Sequence, residues 1–358
     1  MSVREADHAG SWYTDNGQHL AQQLDHWLDQ VPDDLGAGKL PLPGSRAVLA
    51  PHAGYAYSGP AAAWAYKSLD LSKAKRIFIL HPSHHHPLSS AALPIVQGYA
   101  TPLSSDPLPL DLETIKQLAS LKGTTSQGRE VNFTTMSKSI DEAEHSCEMQ
   151  LPYIHRLLQK LYPKQPTSSY PPLVPIMIGS TSASTEAALG KLLAPYVADE
   201  SNAFAISSDF CHWGSRFGYT YYVPNSPSPA FDPRVLPNGV PSNTTSTNLH
   251  ESMSDGTSLR RSPAGGPKIF ESIAHVDRAC MCAIGTGSHQ EFLKILQSTG
   301  NTICGRHPIG VFMAAVEEVK KSGRDVDGIF HFMRYERSSD CTSVRDSSVS
   351  YVSAYAQI

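Results

Sequence analysis

The sequence lacks the features that mark membrane, secreted and nucleic-acid-binding proteins. No apolar run approaches the roughly 18 residues that a membrane-spanning helix needs. The first residues carry acidic side chains and have no apolar core, so we expect no secretory signal. A net charge of −4 over 358 residues gives no basic surface for nucleic acid or an anionic membrane. We therefore expect a cytoplasmic protein that also reaches the nucleus, without nucleic-acid partners or membrane insertion.

Further absences limit the chemistry. The six cysteines have no spacing typical of a disulfide framework, so we predict reduced thiols. No phosphate-binding glycine motif is present, which argues against a nucleotide cofactor. The chain also lacks the Gly-x-Ser-x-Gly elbow of α/β-hydrolases and the His-Glu-x-x-His pair of zinc proteases. No single local motif therefore assigns a function.

Apolar segments instead alternate between strand and helix patterns along most of the chain. With 40% hydrophobic residues, the chain can bury a sizeable core. Short apolar runs such as 76–80 indicate strands buried on both faces, and helical spacing follows most of them. We predict a single α/β domain over residues 1–358. Residues 223–267 are dense in Pro, Ser, Asn, Thr and Gly, and there we predict a disordered surface insertion.

Histidine is abundant, with sixteen residues, and several follow apolar runs. Imidazole is the commonest protein metal ligand and a ready acid or base near neutral pH. Three apolar runs are each followed by a turn with chemically active side chains. These side chains are His52, then His84 and His85, then Asp209 and His212. A single turn histidine is most often structural, but three parallel neighbouring strands would bring these turns to one crevice, where we predict a site.

Cys304 is a fourth candidate. It precedes a predicted helix that begins near Pro308, and a helix N-terminus lowers the pKa of a nearby thiol. The thiolate is both a metal ligand and a nucleophile. A buried, inert cysteine is an equally good interpretation, because most free cysteines are core residues. Sequence spacing alone does not separate the two.

Seven blocks of sequence together resemble the Memo family, and they occur in the family's order. In chain order, they lie at 8–13 (HAGSWY), 50–59 (APHAGYAYSG), 76–85 (RIFILHPSHH), 144–153 (EHSCEMQLPY), 207–214 (SSDFCHWG), 301–310 (NTICGRHPIG) and 346–356 (DSSVSYVSAYA). That family is similar to the class III extradiol, or LigB-type, dioxygenases, which are non-haem iron enzymes. The resemblance implies a three-layer α/β/α fold with a mixed, largely parallel central sheet.

The resemblance also implies roles for individual residues. The metal ligands would be His52, His84 and Cys304, with His212 as acid or base and Asp209 beside it. Cys304 stands where the dioxygenases have a carboxylate, and its softer thiolate makes copper plausible alongside Fe(II). The same blocks supply residues expected next to the ligands or along the cleft: His85, His145, Glu148, Trp12, Tyr55 and His307.

This interpretation divides the histidines that follow residues 76–80. His84 is the expected ligand, because its turn must meet those of His52 and Cys304, and His85 is expected to orient it. His81 and His86 depart from the family pattern. We expect both at the periphery, where they do no more than solvate the loop.

Three functions remain open. The resemblance implies first an iron- or copper-binding redox protein linked to metal and oxidant homeostasis and to motility-type signalling, with protein or phosphopeptide partners. The second is a non-haem iron oxygenase or metallohydrolase acting on a small organic substrate, with His212 as the base. Any enzyme of this kind would be a metal-dependent, dioxygenase-like oxidoreductase. The third is a peptide- or protein-interaction module that uses the former active-site cleft.

Overall fold

The computed structural model describes residues 2–35, 38–226, 253–324 and 326–358. The helices are α1 (Gly17–Gln30), α2 (Tyr55–Ser68), α3 (Leu112–Ser120), α4 (Lys138–Ala143), α5 (His145–Glu148), α6 (Leu151–Leu161), α7 (Ala183–Ala198), α8 (Ile269–Gly285), α9 (His289–Thr299) and α10 (Arg306–Lys321). The strands are β1 (Val3–Arg4), β2 (Ser45–Ala50), β3 (Arg76–Pro82), β4 (Ala91–Pro94), β5 (Gly98–Thr101), β6 (Ser104–Pro109), β7 (Lys122–Thr124), β8 (Glu130–Met136), β9 (Leu173–Ile178), β10 (Asn202–Ser207), β11 (His212–Trp213), β12 (Tyr221–Tyr222), β13 (Thr257–Ser258), β14 (His331–Arg337) and β15 (Ser348–Gln357).

A mixed sheet of ten strands forms the centre of the described structure. Its order is β11-β15-β2-β10-β3-β9-β4-β8-β7, and β14 pairs with β15. The four central strands β2, β10, β3 and β9 run parallel, whereas β15 and β4 join them antiparallel. The central strands are buried at almost every position, because helices cover both faces of the sheet. The predicted α/β class and mixed sheet are confirmed.

Helix packing follows the apolar stripes of the sequence. The stripe of α1, from Leu20 to Leu28, is buried as its spacing predicts. Helix α1 packs closely on α2, because a Cβ at Gly59 would lie 2.4 Å from the Trp27 ring. Helix α2 covers β2 and β15, while α10 lies on β3 and β10 beside α7. Among the described helices, none has the length and apolar character needed to cross a membrane.

The sheet brings three histidine-bearing turns to one edge. Strand β10 lies between β2 and β3, with Ser207 opposite Ala50 and Ile206 opposite Leu80. Because the three strands are parallel, their carboxyl ends lie at the same edge. His52, His84 and Asp209 each follow one of these ends within two residues. The predicted parallel arrangement of these strands is confirmed. It puts the candidate site at the edge of the sheet formed by their carboxyl ends.

The helical segment at 145–161 is interrupted. It consists of the four-residue α5 and the longer α6, which begins at Leu151 with Pro152 in its first turn. Proline suits a helix start because its missing N–H needs no intrahelical partner there. The break leaves Gln150 buried, with its side chain directed at Pro51 and Ser207. The break between α5 and α6 therefore places Gln150 where it contacts two residues that neighbour His52.

The middle of the predicted insertion at 223–267, residues 227–252, lies outside the described residues. Its described ends contact the fold. Strand β13 pairs antiparallel with β12, and the Tyr221 hydroxyl donates to the Met253 carbonyl at 2.6 Å. Met253 is buried in the main core. The two ends are therefore anchored, and disorder between them stays a prediction.

Candidate metal centre

The structure brings His52, His84 and Cys304 together. One candidate ligand atom from each of the three side chains lies within 4.8 Å of the others. The Cys304 sulfur is 3.0 Å from His52 Nε2, and the His52 and His84 ring centres are 5.2 Å apart. Two imidazoles and one thiol are a donor set that suits copper, iron or zinc. The geometry therefore fits the predicted metal, and the assignment of ligands stays a prediction.

His52 is held in one tautomer by Ser207. The Ser207 hydroxyl donates its single proton to the Ser146 carbonyl at 2.8 Å. Its oxygen therefore accepts from His52 Nδ1–H, 2.7 Å away, and also from the Gln150 amide at 2.9 Å. Burial, assisted by neighbouring imidazoles, holds the pKa of His52 well below its ordinary value. The ring is therefore neutral, with an unprotonated Nε2 beside the Cys304 sulfur.

His84 is held by a carboxylate instead. Its Nδ1 lies 2.8 Å from Glu144 Oε1, and its backbone N–H donates to Oε2 at 2.6 Å. Burial raises the pKa of Glu144, but the hydrogen bond and charge of His84 outweigh burial and hold that pKa far below its usual range. Glu144 is therefore ionised and accepts a hydrogen bond from Nδ1–H, which leaves Nε2 of His84 free to bind a cation.

Sequence reasoning missed Glu144, Ser207 and Gln150 as functional residues. Glu144 offered the clearest signal, because it is a carboxylate directly before His145 in a block shared with the Memo family. Ser207 and Gln150 gave no comparable signal, since buried serine and glutamine are common in ordinary cores. Their roles depend on contacts between residues 155 and 57 positions apart.

The thiol of Cys304 does not behave as its position before a helix predicts. Burial raises the pKa of Cys304 well above its ordinary value, and the neighbouring Asp209 carboxyl raises it further. Hydrogen bonds such as the Asp209 backbone N–H, 3.2 Å from the sulfur, only partly offset this effect. The predicted lowering of the pKa of Cys304 was therefore wrong, because desolvation outweighs the favourable electrostatic effect of the N-terminus of α10. A cation that binds here must displace the thiol proton.

Asp209 and His212 lie close to the three predicted ligands. The Asp209 carboxyl accepts from the backbone N–H groups of His52 at 2.8 Å and Ala53 at 3.3 Å, so it fixes the His52 turn. His212 Nδ1 is 2.8 Å from the Phe210 carbonyl, to which it donates, and its Nε2 remains available. The His212 backbone N–H donates to the Thr302 hydroxyl at 2.8 Å, which places His212 beside the segment that carries Cys304. Its acid or base role stays a prediction.

Aromatic rings form one wall of the site. The His145 ring lies between Trp12 and His84, with ring centres 4.3 Å and 4.6 Å away. Burial lowers the pKa of His145 to about 3, so this ring is neutral. The exposed His85 ring lies 6.0 Å from His145. These three predicted cleft residues are therefore near His84.

Three other predicted cleft residues make their hydrogen bonds elsewhere. Glu148 is fully buried and accepts from Arg4 at 2.7 Å and from Tyr13 at 2.9 Å, so it secures the N-terminal segment. The buried Tyr55 hydroxyl donates to the Met149 carbonyl at 2.7 Å. His307 Nδ1 lies 2.7 Å from the Glu186 carboxylate. The hydrogen bonds of Glu148, Tyr55 and His307 therefore stabilise segments around the site and are not directed at the three predicted ligands.

The two histidines expected at the periphery differ. His81 is completely buried inside β3, where its Nδ1 lies 3.1 Å from the Ser146 hydroxyl. Burial lowers the pKa of His81 to about 4. The expectation for His81 was wrong, because strand β3 extends two residues beyond its apolar run. His86 is exposed, as expected.

Gly305 allows the Cys304 loop to approach β10. A Cβ at this position would lie 2.3 Å from Ser208 Cβ and 2.4 Å from the Ser207 carbonyl oxygen. We expect Gly305→Ala to lower the free energy of unfolding by about 1–3 kcal/mol and to displace Cys304. Urea denaturation measures the first effect, and metal titration the second. Gly265→Ala is the matched control, because nothing lies within 4 Å of its Cβ position. Equal stability of the two variants would contradict the expectation.

The fold and site define a class: an α/β protein with two histidines and one cysteine at the carboxyl edge of a mixed sheet. A family model described as Memo-like protein matches residues 4–355. Protein MEMO1 of Danio rerio is 40% identical over 351 residues, which cover 98% of this chain and 96% of that protein. Human MEMO1 is 40% identical over 348 residues, with 97% and 95% covered. A MEMO1 family protein of Schizosaccharomyces pombe is 38% identical, with 99% of both chains covered. The chain belongs to the Memo family.

Proposed function

We propose that this protein binds one iron or copper ion through His52, His84 and Cys304 and acts as an intracellular redox protein. The observation that carries the proposal is the convergence of three ligand atoms within 4.8 Å, from segments far apart in sequence. Both histidines have their second ring nitrogen engaged, by Ser207 and Glu144. Such orientation of imidazole ligands is typical of metal centres.

The donor set favours this chemistry over a purely structural role. A bound iron or copper ion would supply one-electron transfer. The Cys304 thiolate would lower the charge of the centre, and His52 and His84 would hold neutral nitrogen donors in place. Because the His84 side chain is 27% exposed, small molecules can reach the centre. On family membership, we extend the proposal to metal and oxidant homeostasis and to motility-type signalling with protein or phosphopeptide partners, in the cytoplasm and nucleus.

Metal analysis tests the proposal directly. We expect protein purified without chelators to contain about one equivalent of iron or copper. Its spectrum should include a thiolate-to-metal absorption band that changes on reduction. A preparation reconstituted with either ion that shows no such band, or one that binds zinc alone, would contradict the proposal.

A second candidate function is oxygenation or hydrolysis of a small organic substrate. It is favoured by the available Nε2 of His212, whose backbone N–H is bonded to Thr302, two residues before Cys304. His212 would then move a proton to or from the substrate. Anaerobic loading with Fe(II), followed by oxygen uptake with a panel of catechols, tests this function. Oxygen uptake that requires both iron and His212 would support this function. The absence of substrate-dependent uptake with every catechol would count against it.

A further inference from the structure

Glu144 places a negative charge directly behind one of the two histidines of the proposed centre. Its side chain is only 1% exposed, so water screens the charge weakly. The carboxylate accepts a hydrogen bond from His84 Nδ1–H at 2.8 Å. His52 receives the same kind of support from the neutral Ser207 hydroxyl at 2.7 Å. The two imidazole rings are therefore oriented alike but differ in the charge of the group that contacts Nδ1.

Glu144 acts through His84 and is not itself a ligand. His84, Glu144 and His145 do form a second group of candidate ligand atoms within 4.8 Å. However, Oε1 of Glu144 already receives His84 Nδ1–H and the Ser146 backbone N–H at 3.0 Å. Oε2 receives the His84 backbone N–H at 2.6 Å. These donors leave the carboxylate committed to holding the His84 turn.

The buried charge affects cations of different valence unequally. The Coulomb energy between a fixed carboxylate and a bound ion is proportional to the charge of the ion. Glu144 therefore stabilises a divalent ion about twice as strongly as a monovalent one at the same position. Ser207 carries no net charge, so the part of its contribution through His52 that depends on valence is much smaller.

We propose that Glu144 determines the metal preference of the centre, so that a divalent ion of the Fe(II) type is favoured over Cu(I). This inference rests on the proposed function, because it requires a cation bound by His52, His84 and Cys304. It goes beyond that function by assigning the choice between ions to one residue that contacts a ligand and not the metal.

The test compares Co²⁺, as a divalent probe with a visible thiolate band, with Cu⁺ in anaerobic competition against a chelator. We expect Glu144→Gln to weaken Co²⁺ binding about 100-fold and Cu⁺ binding about 10-fold, because the first factor is the square of the second. Ser207→Ala is the matched control for loss of orientation. It should weaken both ions by similar factors, about 10-fold.

Equal losses for both ions in Glu144→Gln would overturn the proposal, since Glu144 would then only orient His84. Failure of the proposed function gives a different result: wild-type protein would bind neither ion through Cys304, and Cys304→Ser would change nothing. Thermal unfolding checks that each variant folds. If Glu144→Gln does not fold, Glu144→Asp and Glu144→Asn give the same comparison, because they differ by one charge at equal length. If Glu144→Asp and Glu144→Asn had the same ratio of Co²⁺ affinity to Cu⁺ affinity, the proposal would also be overturned.

Discussion

Replacing Cys304 with serine is expected to remove the thiolate-to-metal absorption band and to lower the affinity for iron or copper more than about 100-fold. The sulfur lies 3.0 Å from His52 Nε2 and is the only soft donor among the three predicted ligands. Serine keeps the approximate shape of the side chain, so the loop before α10 should persist. Absorption spectroscopy and competition titration with each ion measure the effect.

The control for this variant is Cys282→Ser, which changes a buried thiol on α8 that belongs to neither group of candidate ligands. It should retain the band and the affinity of the wild-type protein. Full metal binding by Cys304→Ser, with loss in Cys282→Ser, would reverse the assignment. Intermediate losses in both variants would indicate an effect on folding, which urea denaturation of the metal-free proteins would reveal.

Replacing Glu148 with alanine is expected to lower the free energy of unfolding by about 3–5 kcal/mol, because it leaves a buried charge without its closest partner. Arg4 is completely buried, and its guanidinium lies 2.7 Å from Glu148 and 3.1 Å from Asp141. Asp141 remains largely ionised at neutral pH, with a pKa that burial raises to about 6, but it is the more distant of the two partners of Arg4. Glu148 also accepts from Tyr13 and His8, so the N-terminal segment should loosen.

Urea denaturation measures this loss, and limited proteolysis near the N-terminus detects the loosened segment. The matched control is Glu130→Ala, which removes an ion pair with Lys122 whose two side chains are 59% and 68% exposed. Its effect should remain within about 1 kcal/mol, as for other surface pairs. A Glu148 variant as stable as the Glu130 variant would show that Asp141 alone compensates Arg4.

The sequence was sufficient for the central parallel strands and for the convergence of the turns that follow them. Buried runs in the parallel part of a sheet have a simple apolar pattern, and the positions of His52 and His84 after such runs predicted their meeting. The three-layer arrangement and the position of Cys304 beside them came from the resemblance to the Memo family. Spacing along the chain does not show that the loop before α10 approaches β10.

The supporting residues could not be predicted for a physical reason. Ser207 and Glu144 matter because of single hydrogen bonds to His52 and His84, and such bonds depend on side-chain directions set by the whole fold. The pKa of Cys304 depends on burial, which opposes the local effect of the helix start. The local sequence predicts the helix that follows Cys304, but it does not predict how deeply the Cys304 side chain is buried.

Ser146 has a consequence for how this centre can change during evolution. Its backbone N–H supports Glu144, its carbonyl accepts from Ser207, and its hydroxyl contacts His81. The residues that orient His84 and His52, Glu144 and Ser207, therefore both contact Ser146. A displacement of α5 would move the two histidine rings together. Substitutions at Glu144 or Ser207 therefore change the support of one ring, whereas changes that displace α5 affect both rings at once.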